Sequence, residues 1–286
     1  MRYRSVFAPN LFEDRTIIVT GAGSGIGRCI AHELASLGAH VVLTGRKPEK
    51  LSKVAAEIRE DGGECSSQAF DIRDESAVQQ AVKTVVAERG VIHGLVNNAG
   101  GQYLAPLTAI SRVGWEAVVN NNLTGGFLMA REVFNQSMCT GGGSIVNMLA
   151  DMWGGMPGMG HSGAARAGML NFSETAAVEW AHAGVRVNAV APGWVASSGL
   201  DNYLQSEVVR TLRGHVPLQR LASEAEISAP IVFLLSPAAA FITGQCIAVD
   251  GGASRNTKMY PLQGAENSAP YEGFHRAIAP QVLRNA

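Results

Sequence analysis

Thr16-Ile17-Ile18-Val19-Thr20-Gly21-Ala22-Gly23-Ser24-Gly25-Ile26-Gly27-Arg28 reads as a strand that turns through glycines directly into the helical pattern Cys29-Ile30-Ala31-His32-Glu33-Leu34. Such a turn aims the unpaired N–H groups of the new helix, and the positive end of its dipole, at one point, where phosphate is the natural occupant. The glycines have separate uses: one permits the tight turn, one lets backbone approach a pyrophosphate, and one lets helix pack closely on strand. Placed in the first βαβ unit of the chain, the stretch predicts a dinucleotide site built from Gly21, Ser24, Gly25, Ile26 and Gly27.

Working outward, His40 to Thr44 reads as a second buried strand ending at Gly45-Arg46-Lys47. An acidic residue here would hold the ribose hydroxyls of an adenosine; none is present, and Arg46 with Lys47 would attract a 2′-phosphate dianion. NADP is therefore favoured over NAD. The competing reading, in which these cations merely solvate a helix start, sets them against the helix dipole.

Helical spacing follows from Glu49 to Glu60, then a third strand from Cys65 to Phe70 with Asp71 at its carboxyl end, and a helix capped by Asp74 that runs to about Glu88. Ile92 to Val96 reads as strand four, broken by Asn97-Asn98-Ala99-Gly100-Gly101, where backbone can approach a ligand. A helical stretch from about Arg112 to Met138, bent at Gly125-Gly126, precedes strand five (Ser144 to Leu149) and the Gly/Met/Pro-rich loop 150–160. Next come a helix from Ser162 to His182, strand six (Val185 to Ala191), a lid segment from Val195 to Gly214, a Ser223-Glu224-Ala225-Glu226 capping box, and strand seven (Cys246 to Val249). Alternating strands and helices predict an α/β fold: one doubly wound, parallel, seven-stranded Rossmann-type domain. Residues 16–253 form that domain, 1–15 an N-terminal extension and 254–286 a C-terminal tail. The tail is rich in Gly, Pro and Ala; its aromatic residues Tyr260, Tyr271 and Phe274 favour an ordered tail.

At 286 residues, with 47% hydrophobic and 16% charged residues, the chain suits a large core with buried intersubunit surface. The net charge of -1 gives no electrostatic reason for nucleic acid or an anionic membrane as partner. Cys29, Cys65, Cys139 and Cys246 form no CxxC pair and are expected as buried free thiols, with no metal site. No signal-peptide pattern or membrane span is present, so a cytoplasmic location is expected.

These motifs, in this order, give the chain a resemblance to the short-chain dehydrogenase/reductase superfamily: the glycine turn, Asn97-Asn98-Ala99-Gly100, Asn122-Leu123-Thr124-Gly125, Gly143-Ser144-Ile145-Val146-Asn147, Pro192-Gly193, Ile242-Thr243-Gly244-Gln245 and Asp250-Gly251-Gly252. The resemblance spans roughly residues 12–255. It implies a nicotinamide cofactor and usually a homotetramer. It also implies Asp71 and Ile72 near the adenine, Asn98, Ala99 and Gly100 along the ribose, and Pro192, Gly193 and Val195 beside the nicotinamide.

The superfamily's catalytic Asn, Ser, Tyr and Lys carry over only in part. Asn is present as Asn122, but Ser becomes Ala150, Tyr becomes Ser162 and Lys becomes Arg166, and no tyrosine lies between Tyr103 and Tyr203. Oxidising an alcohol needs proton transfer at oxygen, normally by the phenol; serine is too weak an acid, and Arg stays protonated. Reducing a conjugated carbon–carbon double bond asks less, because charge gathers on a carbonyl oxygen that fixed donors can stabilise.

The string His161-Ser162-Gly163-Ala164-Ala165-Arg166-Ala167-Gly168 is similar to the peroxisomal trans-2-enoyl-CoA reductases and their bacterial relatives, which also place Arg at the Lys position. Many of those carry a Tyr shortly afterwards, where this chain has Leu170. Some bacterial relatives resemble citronellol or citronellal dehydrogenases. The expected activity is NADPH-dependent reduction of a small-molecule acyl-thioester, a 2-enoyl-CoA. The alternatives are an NAD(P)-dependent dehydrogenase of branched terpenoid alcohols and a cofactor-binding pseudoenzyme.

Each candidate catalytic residue has a plainer reading beside it. Arg166 is a surface ion-pair partner or a binder of the cofactor ribose, the second favoured; Ser162 bonds local backbone or donates to a thioester oxygen. Asn122 bends its helix or serves the site. His161 is a structural helix-start residue or, with Asp151 across the loop, a proton carrier. Met148, Met152, Met156, Met159 and Met169 are core filler or an adaptable wall for an acyl chain.

Overall fold

Along β1 (Thr16–Thr20), Ile17 and Val19 enter one apolar cluster and Ile18 another, the two-residue repeat of a strand buried on both faces. The computed structural model describes residues 2–202, 211–256 and 261–284. Its single sheet has seven parallel strands in the order β3-β2-β1-β4-β5-β6-β7: β2 is His40–Gly45, β3 Glu64–Ala69, β4 Gly94–Asn97, β5 Gly143–Met148, β6 Val185–Pro192 and β7 Cys246–Val249. The expected doubly wound Rossmann-type domain is present, with strand ends moved by a residue or two.

On one face lie α1 (Gly25–Ser36), α2 (Pro48–Glu60) and α7 (Glu224–Leu235), which bury Ile30, Leu34, Leu51, Val54, Ile227 and Ile231 against β1, β2, β4 and β5. On the other lie α3 (Glu75–Arg89), α5 (Gly125–Val133) and α6 (Gly160–Glu179), contributing Val78, Val82, Leu128, Val133, Ala176 and Ala177. Asp74 caps α3 by accepting the Ala77 N–H, and Ser223 and Glu226 form the expected capping box of α7.

Two expectations change. The irregularity of the 112–138 helix is not at Gly125-Gly126: two π turns, Asn120–Thr124 and Phe134–Met138, flank α5, while α4 (Arg112–Val119) precedes them. Those glycines instead allow close packing, since a Cβ at Gly125 would meet Ile72 and one at Gly126 would meet Met169. Cys29 and Cys65 are buried free thiols, but Cys139 is exposed and Cys246 only half-buried, because both sit where their elements emerge from the core.

The tail is ordered from residue 261 to 284, and it packs on its own chain. Phe274 sits among Tyr3, Cys29 and His32, and Arg276 grips Asp61 and Glu60 at the end of α2. The last helix, α8 (Gln281–Arg284), is capped by Asp201, whose carboxylate accepts the Gln281 and Val282 N–H groups. Residues 203–210 of the expected lid and Tyr260 of the tail lie outside the described residues. Among the described residues no helix is long and apolar enough to cross a membrane.

Candidate active site

Strand order reverses at β1, with β2 on one side and β4 on the other, and a crevice opens at the carboxyl edge there. Thr20 fastens its floor. The buried Thr20 hydroxyl donates to Val96 O and accepts the N–H groups of Asn98 and Ala99, at 3.0 and 2.9 Å, tying the end of β1 to the end of β4. The Asn98 side chain returns a bond to Thr20 O at 2.9 Å.

The cleft above measures about 840 Å³. Gly21 has φ +66, the left-handed region that glycine occupies without strain. A Cβ on Gly27 would land on Asn98 Nδ2 and on the Gly21 carbonyl. Such a surface admits a ligand against bare backbone, facing the N-terminus of α1. A dinucleotide pyrophosphate fits it.

All of Gly21, Ser24, Gly25, Ile26, Gly27, Arg46, Asp71, Ile72, Asn98, Ala99, Gly100, Arg166, Pro192, Gly193 and Val195 line this one cleft. At the end nearest β2, Arg46, Lys47 and Lys50 gather. Lys50 escaped the sequence reading, although three cations at the start of a helix, where the dipole disfavours them, were the available signal. Asp71 is clasped by both nitrogen edges of Arg73, at 2.6 and 3.0 Å, which holds its carboxyl below the usual range. Arg46 also acts on this carboxyl through its charge, so the acid at this end of the cleft is already paired.

The other end is different. Of the four candidate catalytic residues, only Arg166 lines the cleft. Its guanidinium donates to Met148 O and approaches Gly100. Asn122 is buried and spent on backbone: its amide donates to Gly101 O at 2.7 Å and its carbonyl accepts Gly101 N–H at 3.0 Å, which fixes the Gly100-Gly101 loop. Ser162 is fully buried, with its hydroxyl toward Gln102 at 3.4 Å. His161, also fully buried, accepts the Ser162 N–H on Nδ1 and packs edge-on against Tyr103. These three stand behind the residues that line the cleft, bonded to Gly101, Gln102 and local backbone. His161 and Ser162 lie in the first turn of α6 and Asn122 in the π turn before α5, all three buried, a depth that sequence spacing does not encode.

What does line this end is Ala150, Asp151, Gln102, Met148, Met156 and Met159. The half-buried Asp151 carboxyl is raised by burial and by the Asp250 charge. Leu170 packs with Leu149, Met152 and Met169 and does not line the cleft. Ala105 N–H bonds Gly158 O at 2.8 Å, joining two loops that expose Leu104, Leu107 and Trp153 at an apolar rim.

A family model described as enoyl-(acyl carrier protein) reductase matches residues 21–254. The chain belongs to the short-chain dehydrogenase/reductase family. Short-chain dehydrogenases/reductases bind NAD(P), in keeping with the cradle just described. Among relatives, a Bacillus subtilis protein named as a probable 2,4-dienoyl-CoA reductase is 39% identical, over 87% of this chain and 100% of its own length. A peroxisomal 2,4-dienoyl-CoA reductase of Danio rerio is 33% identical, over 88% and 85%. Among solved structures of short-chain dehydrogenases/reductases, the citronellol catabolism dehydrogenase AtuB of Pseudomonas aeruginosa is 65% identical with a TM-score of 0.81, over 88% of this chain and all of its own. The chain is thus a short-chain dehydrogenase/reductase oxidoreductase.

Proposed function

We propose that this oxidoreductase uses NADPH to reduce the conjugated double bond of an apolar 2-enoyl thioester, a 2-enoyl-CoA. One observation carries the reading: among the described residues no tyrosine lines the cleft, and the place of the family phenol is a buried Ser162. Relatives named as dienoyl-CoA reductases support it.

The cofactor, when bound, supplies a hydride. Gly21 to Gly27 would hold its pyrophosphate on bare backbone, Arg46, Lys47 and Lys50 would hold a 2′-phosphate, and Asn98 to Gly100 would line its path. Arg166, bonded to Met148 O and close to Gly100, would hold the wall against which a ribose packs. Met156 and Met159, with the exposed Leu104, Leu107 and Trp153, suit an apolar chain entering over the rim.

A second reading, dehydrogenation of a branched terpenoid alcohol, is favoured by the 65% identity to AtuB. Purified protein assayed spectrophotometrically should oxidise NADPH with 2-enoyl-CoA substrates, branched chains included. Reduction of NAD(P) by citronellol without enoyl-CoA turnover would reverse the order, and cofactor binding without any turnover would make the chain a pseudoenzyme.

A further inference from the structure

We propose that Asp151 is the proton donor of the reduction, delivering its carboxyl proton to the α-carbon of the enoyl thioester. The inference rests on the reading of the protein as an enoyl-thioester reductase.

Two observations place Asp151 in that role. It lines the cleft beside Ala150, the position vacated by the family serine, and its own N–H bonds Pro192 O at 2.8 Å, which fixes it to the strand end that opens into Gly193. Among the described residues lining the cleft, the ionisable groups are Arg46, Lys47, Lys50, Asp71, Asp151 and Arg166. Four are cations that do not release a proton near neutrality, and Asp71 is locked to Arg73 at the far end. That leaves Asp151.

The charged neighbours support the assignment. Asp250, on the loop after β7, stands behind Gly193 and raises the Asp151 carboxyl, together with burial. Asp250 itself accepts the N–H groups of Gly252 and Ser254, at 2.9 and 2.8 Å, and stays ionised below the usual range. From α6, Arg166 faces the same end but turns its guanidinium to Met148 O.

The step balances. The substrate β-carbon accepts a hydride from NADPH, its double bond opens, and the electron pair moves through the α-carbon onto the thioester oxygen as an enolate. The Asp151 O–H bond then breaks as a C–H bond forms at the α-carbon and the carbonyl returns. Asp151 is left as a carboxylate and takes its next proton from water.

The test compares wild type, Asp151→Asn, Asp151→Glu and Asp250→Asn with a 2-enoyl-CoA and NADPH. Asp151→Asn should lower kcat on the order of 100-fold with unchanged NADPH affinity by fluorescence titration, and Asp151→Glu should restore part of it. Wild-type kcat should fall as pH rises through the Asp151 pKa, and Asp250→Asn, by removing the like charge, should move that fall to lower pH. A bystander would show neither the fall nor its movement. If wild type turns over enoyl-CoA and Asp151→Asn keeps its rate and pH profile, Asp151 is not the donor and the activity stands. If wild type turns over no enoyl thioester, the activity fails and takes this assignment with it.

Discussion

Two parts of the cleft wall meet the same edge of the sheet and are made of different material. Around Gly21 to Gly27 the ligand faces backbone, and Thr20 and Asn98 fasten that backbone to β4. Around residues 148–160 it faces side chains: a carboxyl, three methionines and a methyl group where the family keeps a hydroxyl. A backbone cradle is defined by where a Cβ cannot go, so it tolerates little change. A side-chain wall sets the chemistry and can be rebuilt without disturbing the cradle. The largest expected effect therefore comes from Gly27→Ala, whose new methyl would land on Asn98 Nδ2 and the Gly21 carbonyl. It should cost about 1–3 kcal/mol of stability in urea titrations and weaken NADPH binding on the order of 100-fold. Wild-type affinity in that variant would break the comparison, because the cradle would then yield as easily as the side-chain wall.

Arg46 sharpens the comparison at the other extreme of the cradle, where specificity passes from backbone to charge. Arg46→Ala should weaken NADPH by about 10- to 100-fold and leave NADH within about twofold, measured by fluorescence titration of each. Equal weakening of both would show that Arg46 shapes the pocket and does not read the 2′-phosphate.

The same division explains what could be read from the chain. The parallel alternation of strands and helices, the capping box at Ser223 and Glu226 and the glycine turn from Gly21 to Gly27 follow from periodicity and turn chemistry, which are local, whereas Asp71, Asn98, Ala99, Pro192 and Gly193 come from the family resemblance. Asn122, Ser162 and His161 are buried behind the lining of the cleft, because register along a helix says nothing of depth when all sides are covered. Lys50 was missed since its role depends on α2 returning beside Gly23. The tail could be read as ordered from Tyr271 and Phe274, but its docking on α1 and α2 depends on Arg276 finding Asp61 across the fold.

Glu224 tests the comparison most gently, because it places a titratable side chain beneath the backbone cradle. A Cβ on Gly25 would stand 3.9 Å from its carboxylate oxygen, and the residue is only 7% exposed. Burial raises its carboxyl from 4.5 to about 7, although Arg28 pulls the other way. Below the unfolded value both states hold the proton, and the stabilising effect of the tighter folded-state binding is fully present. As pH rises towards 7 the unfolded chain loses its proton first and that advantage disappears, so above pH 7 the fold carries an ionised, buried carboxylate. Glu224→Gln removes this penalty. Its stability should match wild type near pH 4.5 and exceed it at pH 8 by on the order of 2 kcal/mol, a few degrees in Tm. A difference in Tm that stays constant from pH 5 to pH 8 would show that the glutamine repacks the turn and that the cradle carries no titrating group.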